Sequence, residues 1–148
     1  MYLTLNMSAQ QRAVVSQFMR YICVGIMNTC ITLVVIFSCK SVLGVNPWVS
    51  NALGYVAGFL NSFIWNKLWV FHSKNNALRE GIKFIGGFML CYGLQLLVTW
   101  LLTTHTSLAS WEFDLAGFTL SGYGLSTLLG MCFYTLSNFI YNRVVTFK

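Results

Sequence analysis

Charge is what this chain has least of. Lys, Arg, Asp and Glu make up 8% of its residues and hydrophobic residues 57%, whereas a soluble domain carries roughly 25% charged residues. So few charges cannot coat a globule, and the expected solvent is lipid. Acids are scarcest: Glu80, Glu112 and Asp114, all in expected loops. No acid falls within a long apolar run, which argues against proton-for-cation exchange through an embedded carboxylate. No phosphate-cradling P-loop is present, so ATP hydrolysis is excluded. The five cysteines, Cys23, Cys30, Cys39, Cys91 and Cys132, form no CxxC pair and lie in or beside apolar runs. They read as small hydrophobes rather than disulfides or metal ligands. His72 and His105 sit in polar end regions and read as interfacial. With no nucleophile–base pair and no metal constellation, no enzyme chemistry, metal or cofactor is expected.

What is there is apolar length. The chain is free of formal charge from Arg20 to Lys40, Lys40 to Lys67, Lys83 to Glu112, and Asp114 to Arg143. A membrane helix needs about 20 mostly apolar residues, so four spans are expected, near 20–39, 48–69, 84–104 and 116–141. The first does not read as a cleaved signal peptide, since a polar stretch precedes it. That stretch, SAQQRAVVSQFMR, could form a short interfacial helix. The net charge of +6 is distributed by side. Arg12, Arg20, Lys67, Lys74, Arg79, Lys83, Arg143 and Lys148 fall on one side of the four spans, and Lys40 with Glu112 and Asp114 on the other. By the positive-inside rule both termini are cytoplasmic. Topology thereby accounts for the basic residues, and no nucleic-acid partner is expected. Asn46 and Pro47 suit the cap and first position of the second helix. Trp48, Trp100 and Trp111 near the outer interface, with Trp65 and Trp69 near the inner one, read as an aromatic belt.

One ending is written twice. NSFIWNKLWVF at 61–71 and SNFIYNRVVTF at 137–147 share Phe-Ile-aromatic-Asn-basic, then Phe. RYI at 20–22 and KFI at 83–85 open the preceding spans alike, and Gly54 and Gly130 stand at the same distance from the two endings. The expected architecture is therefore all-α: one transmembrane domain over 1–148, built from two helical hairpins in a parallel repeat. In that arrangement Arg20, Lys67, Lys83 and Arg143 fall at the cytoplasmic mouth beside the N-termini of spans one and three. Cations and positive dipole ends together suit an anion. Positive-inside topology alone would also place basic residues there, but it has no need of Asn66 and Asn142.

The spans carry polar groups. Asn51, Gly54, Gly58 and Asn61 fall on one face of span two. Gly87, Cys91, Gln95 and Thr99 step by four along span three, and Gly25, Asn28 and Thr32 form a stripe on span one. Small and amide residues on one face are the usual glue between membrane helices. The amides Asn28, Asn51, Asn61, Gln95 and Asn138 could equally line a polar groove, since polar groups inside membranes often mark function.

Together these segments resemble the GtrA-like family. QFMRYICVGIMNTCITLVV at 17–35 is similar to its first helix, with a basic-aromatic start and Val-Gly followed by Asn-Thr. NALGYVAGFLNSFIWNKLWVF at 51–71 is similar to its second helix, and NRVVTF at 142–147 to its closing motif. The resemblance implies a four-span protein of the bacterial inner (cytoplasmic) membrane. It implies movement of a polyprenyl-phosphate-linked sugar, typically glucose on undecaprenyl phosphate, to the outer leaflet. There the sugar would modify O-antigen or another surface polysaccharide. The implied partners are that sugar lipid, the membrane lipid and a membrane glycosyltransferase. In such a role Arg20, Lys67, Lys83 and Arg143 suit phosphate capture. Asn28, Asn51, Asn61, Asn66, Gln95, Asn138 and Asn142 suit the path of the head group. A homo-oligomer is attractive because four short helices make a thin wall. The competing expectation is a membrane subunit that stabilises or positions a glycosyltransferase and moves nothing.

Overall fold

The computed structural model describes residues 8–106, 112–115 and 118–148, with the backbone alone given between 112 and 120. The outer-interface reading of Trp111 lies outside the described residues. The chain divides into two compact units, Met1–Asn75 and Asn76–Lys148.

The first unit is a helical hairpin. Helix α1 runs Ala9–Phe37 and ends in a π-helical turn, Ser38–Val42. Ser8 starts it with a capping box: its Oγ accepts from Gln11 N, and Gln11 Oε1 accepts from Ser8 N. Two orphan donors are satisfied reciprocally in this way. The polar stretch expected as a separate interfacial helix is thus the start of one continuous helix. Helix α2 runs Pro47–Trp65, with Asn46 as its cap and Pro47 at its first position, and ends in a second π turn, Asn66–Val70.

The second unit repeats the plan. Helix α3 spans Ala77–His105, capped by Asn76, whose side chain accepts from Leu78 N and Arg79 N. Strands β1 (Glu112–Leu115) and β2 (Phe118–Ser121) pair antiparallel. Helix α4, Gly122–Tyr141, follows from the Ser121 cap and closes in a third π turn, Asn142–Thr146. Two expectations are corrected. The fourth helix begins at 122, because a strand occupies 118–121. Glu80 is not in a loop: the Asn76 cap starts α3 early and places it in the first helical turn, 2% exposed.

Burial is reversed relative to a soluble protein. Among the described residues, Ser50, Asn66, Glu80, Thr99, Ser126, Asn138, Asn142 and Thr146 are buried, against six buried hydrophobics. Large apolar side chains such as Phe37, Tyr55, Leu78 and Trp48 (83%) are exposed. Water would penalise this arrangement and lipid favours it. Ala9–Val42 and Ala77–His105 are long and apolar enough to cross a membrane. The 19 residues of α2 reach about 28 Å at 1.5 Å per residue, close to the hydrocarbon thickness of about 30 Å. The five cysteines are free thiols.

Within each unit the helices meet at glycine, and they meet in the same register. A Cβ on Gly54 would lie 2.9 Å from Thr32 O and collide with Ile36 Cγ1. A Cβ on Gly58 would collide with Thr32 Oγ1 and lie 3.2 Å from Asn28 Oδ1. In the second unit, Gly130 stands where Gly54 does, and its Cβ would meet Thr99 Oγ1 and, at 3.3 Å, Gln95 Cγ. Ser50 and Ser126 match as well: both are fully buried, and each hydroxyl donates to the carbonyl four residues earlier.

Gly54→Ala should lower stability by up to about 2 kcal/mol. Overpacking against a backbone carbonyl costs about 1–3 kcal/mol, more than the helix-propensity gain of about 1 kcal/mol. Gly25→Ala, with nothing within 4 Å of the added Cβ, should be neutral or stabilising. Unfolding of both variants in mixed micelles checks the contrast.

Candidate functional site

The repeated ending builds the same structure twice. In α2 the Asn66 amide donates back to Ser62 O at 2.8 Å and to Ser62 Oγ at 3.3 Å. The helix then widens: Phe71 N bonds Asn66 O, and Ser73 N bonds Lys67 O, each at 2.9 Å. In α4 the Asn142 amide donates to Asn138 Oδ1 at 3.2 Å, and Phe147 N bonds Asn142 O at 2.9 Å. The last carbonyls of a helix have no partner within it. Here the neighbouring helix supplies one. Arg20 NH1 reaches Trp69 O at 3.5 Å, and Lys83 Nζ reaches Val145 O at 2.9 Å. Arg20 and Lys83 hold the same register in α1 and α3, and Trp69 and Val145 the same place in the two endings; because the helices begin at Ala9 and Ala77, the helix N-termini expected beside these cations lie further back along each helix.

Around these ends the predicted cations have different surroundings. Arg20, half-buried, also lies over the Trp69 ring with Cζ 5.9 Å from its centroid, and NH1 stands 3.2 Å from His72 Nε2. Lys67 Nζ donates to Asn75 O at 2.7 Å. Arg143 is half-buried with no hydrogen-bond partner among the described residues. In the first unit both Arg20 and Lys67 thus donate to backbone carbonyls, whereas in the second Lys83 does. Arg20 and Lys83 have a structural task that sequence reasoning did not give them, yet each retains further N–H donors.

The predicted amides separate into classes. Asn66 is 1% exposed and Asn142 0%, and in both the Oδ1 oxygen is buried without a hydrogen-bond partner. Asn138 continues the Asn142 ladder, donating to Tyr134 OH at 3.2 Å. Asn28 and Asn61 are half-buried, with Asn28 Oδ1 and Asn61 Nδ2 unpartnered. Gln95 is half-buried and packs against Gly130, as glue. Asn51 is exposed, apart from the packed glycine face it was expected to share. Thr99 Oγ1 and Thr146 Oγ1 are further buried, unpartnered oxygens.

Sequence reasoning missed Gln17, whose Nε2 donates to Val70 O at 3.1 Å, along with Tyr134, Glu80 and the His72 contact. A signal for two of them was present. Gln17 and Glu80 each precede the span-opening cation by three residues, which puts both on that cation's helical face.

Comparison with known proteins bears on this arrangement. The family described as "GtrA/DPMS, transmembrane domain" matches residues 20–147. That interval begins at the arginine of the first helix-end contact and closes at the phenylalanine of the second repeated ending. The cell wall teichoic acid glycosylation protein GtcA of Listeria monocytogenes is 30% identical over 91 residues. The match takes in 59% of this chain and 63% of that protein's length.

Asn66→Leu and Asn142→Leu separate a structural from a binding role. Each change removes one donor, from Ser62 O and Oγ or from Asn138 Oδ1, and a partner left unsatisfied costs about 1–3 kcal/mol. With a binding role, both variants should lose no more than about 3 kcal/mol in unfolding and lose ligand binding per folded molecule. A stability loss of several kcal/mol with binding per folded molecule intact would make the amides structural.

Proposed function

We propose a function from one premise: the chain belongs to the GtrA/DPMS transmembrane-domain family, whose match spans residues 20–147. The chain carries a polyprenyl-phosphate-linked sugar, undecaprenyl-phosphate glucose in the first instance, from the inner to the outer leaflet of the bacterial cytoplasmic membrane. There the sugar modifies a surface polysaccharide. The similarity to a protein of cell wall teichoic acid glycosylation supports this end use. The four helices cross the membrane as one domain, with both termini and the 67–83 segment cytoplasmic.

The observation that carries the reading is the doubled helix end. Asn66 and Asn142 each hold a buried oxygen without a donor, and a cation follows each at once, Lys67 and Arg143. The cargo has matching chemistry: a phosphate anion for the cations and sugar hydroxyls as donors to the oxygens. Its tail stays in lipid. Its head cannot cross bare, because each polar group left unsatisfied in hydrocarbon costs several kcal/mol. The half-buried Asn28 and Asn61 continue a line of polar partners. Synthesis of the lipid inside and its consumption outside supply the direction.

A rival is a non-transporting subunit of a glycosyltransferase. The carbonyl contacts of Arg20, Lys67 and Lys83 favour it, since they give three of the four cations a structural task.

The test is reconstitution into liposomes holding undecaprenyl-phosphate glucose, with outer-leaflet sugar read by an impermeant probe. Protein-dependent exposure is expected. Lys67→Ala with Arg143→Ala should reduce it about tenfold or more, the equivalent of losing one charge-assisted hydrogen bond. Exposure no greater than in empty liposomes, with folded protein, would turn the reading to the partner subunit.

A further inference from the structure

The strand pair before α4 has two unlike faces. Its register sets Glu112 against Ser121, Phe113 against Leu120, Asp114 against Thr119 and Leu115 against Phe118. Partners across an antiparallel ladder share a face, and successive residues alternate between faces. Phe113, Leu115, Phe118 and Leu120 therefore fall on one face, and Glu112, Asp114, Thr119 and Ser121 on the other. The first face is wholly apolar. The second carries two carboxylates and two hydroxyls.

Two constraints fix the surroundings of such a ribbon. Two strands have two open edges, each a row of unpaired N–H and C=O groups, so the ribbon cannot sit within hydrocarbon. Water alone does not suit it either, because an isolated two-stranded ribbon is marginal without something packed on its apolar face. The boundary between lipid and water meets both needs. Head groups and water satisfy the edges, and the upper acyl chains cover the apolar face. The chain places the ribbon at that height. β2 runs into α4 without a linker: Ser121 is the last strand residue and also the cap whose Oγ accepts from Gly124 N. Tyr123 in the first turn of α4 is exposed, as is Trp100 near the end of α3, edge-on to His105 at 5.5 Å. Aromatic residues with a polar tip gather at the membrane–water interface.

Other occupants fit the apolar face less well. Four side chains fall short of the about 800 Å² per partner of a standard protein interface. Glu112 and Asp114 on the short β1 edge discourage strand addition by a second copy. Anionic head groups gain no hold by charge, since no Lys or Arg occurs between Lys83 and Arg143.

We propose that the 112–121 ribbon lies on the lipid surface at the start of α4, with its Phe113/Leu120 face on the acyl chains and its Asp114/Thr119 face toward water. It anchors the first turn of α4 at a fixed depth by apolar contact alone. The topology proposed above makes this the outer leaflet. The anchor serves a carrier and a partner subunit equally, so it stands or falls apart from transport.

The test uses the full-length chain with its five cysteines, all free thiols, replaced by alanine. Phe113→Cys, Asp114→Cys, Thr119→Cys and Leu120→Cys are introduced singly, and each carries a small environment-sensitive fluorophore. The protein is reconstituted in phosphatidylcholine vesicles. Lipid nitroxides at two levels read depth, and iodide reads contact with water. Labels at 113 and 120 should lie about 5–10 Å deeper than those at 114 and 119 and escape iodide. Added phosphatidylglycerol should leave the depths unchanged. Leu115→Ser with Phe118→Ser should lift the label at 113 to the level of that at 114. Four labels at one depth, or 114 and 119 deeper, would overturn the proposal. Labels at 113 and 120 shielded from both quenchers would put a second copy there in place of lipid. A depth contrast that appears only with phosphatidylglycerol would replace apolar attachment by charge. The unsubstituted chain gives an independent reading. Magnetisation transfer from lipid acyl chains in solid-state NMR should reach Phe113 and Leu120 and miss Asp114 and Thr119, and the reverse would sink the proposal.

Discussion

The structure depends on how a helix ends where water is scarce. The last carbonyls of a helix need donors from elsewhere, and lipid offers none. In this chain the ends of α2 and α4 widen into π geometry, and the neighbouring helix supplies the donor: Arg20 to Trp69 O, Lys83 to Val145 O. A long side chain reaching one carbonyl fixes the height of one helix against the other. That height sets the glycine contacts, so Gly54 meets Thr32 and Ile36 while Gly130 meets Gln95 and Thr99 in the same register. Why the chain writes its ending twice follows directly. Each hairpin needs its own sealed end, and Asn-basic-x-x-x-Phe is the sequence that makes one.

The same solvent explains why polarity is gathered inside. Apolar surface gains nothing by burial when the surroundings are already apolar, so packing rests on close approach at glycine and on hydrogen bonds. A buried oxygen without a donor then costs about 1–3 kcal/mol, with no compensating hydrophobic gain. The Asn66, Asn142 and Thr146 oxygens all carry that cost at the two repeated ends. Under the proposed function, a sugar's hydroxyls would bring the missing donors.

Much of this was legible in the sequence. Gaps between charges located the helices, because charge is what lipid excludes most strongly. Asn46-Pro47 marked a helix start by its capping chemistry, and the repeat located both sealed ends. The rest was hidden for physical reasons. A π turn leaves no mark in hydrophobic periodicity, since it adds one residue to one turn. Asn76 resembled its loop neighbours until its side chain was seen to cap α3, and only that cap brings Glu80 into a buried first turn. The strand pair at 112–121 fell in a segment where apolar composition suggested a longer fourth span. The Arg20–His72 contact joins residues far apart in sequence through a backbone conformation that composition does not reveal.

Duplication yields two copies of one frame, and the frame leaves its lining free to vary. The seals are common to both hairpins, but the residues around them differ. Where the second unit has Asn138 and Tyr134 in a ladder leading to Asn142, the first has Ser62 and Gly58. Where the first has a histidine against its arginine, the second has two lysines. One end therefore offers an aromatic-backed guanidinium and a ring nitrogen, and the other a chain of amides and a phenol hydroxyl.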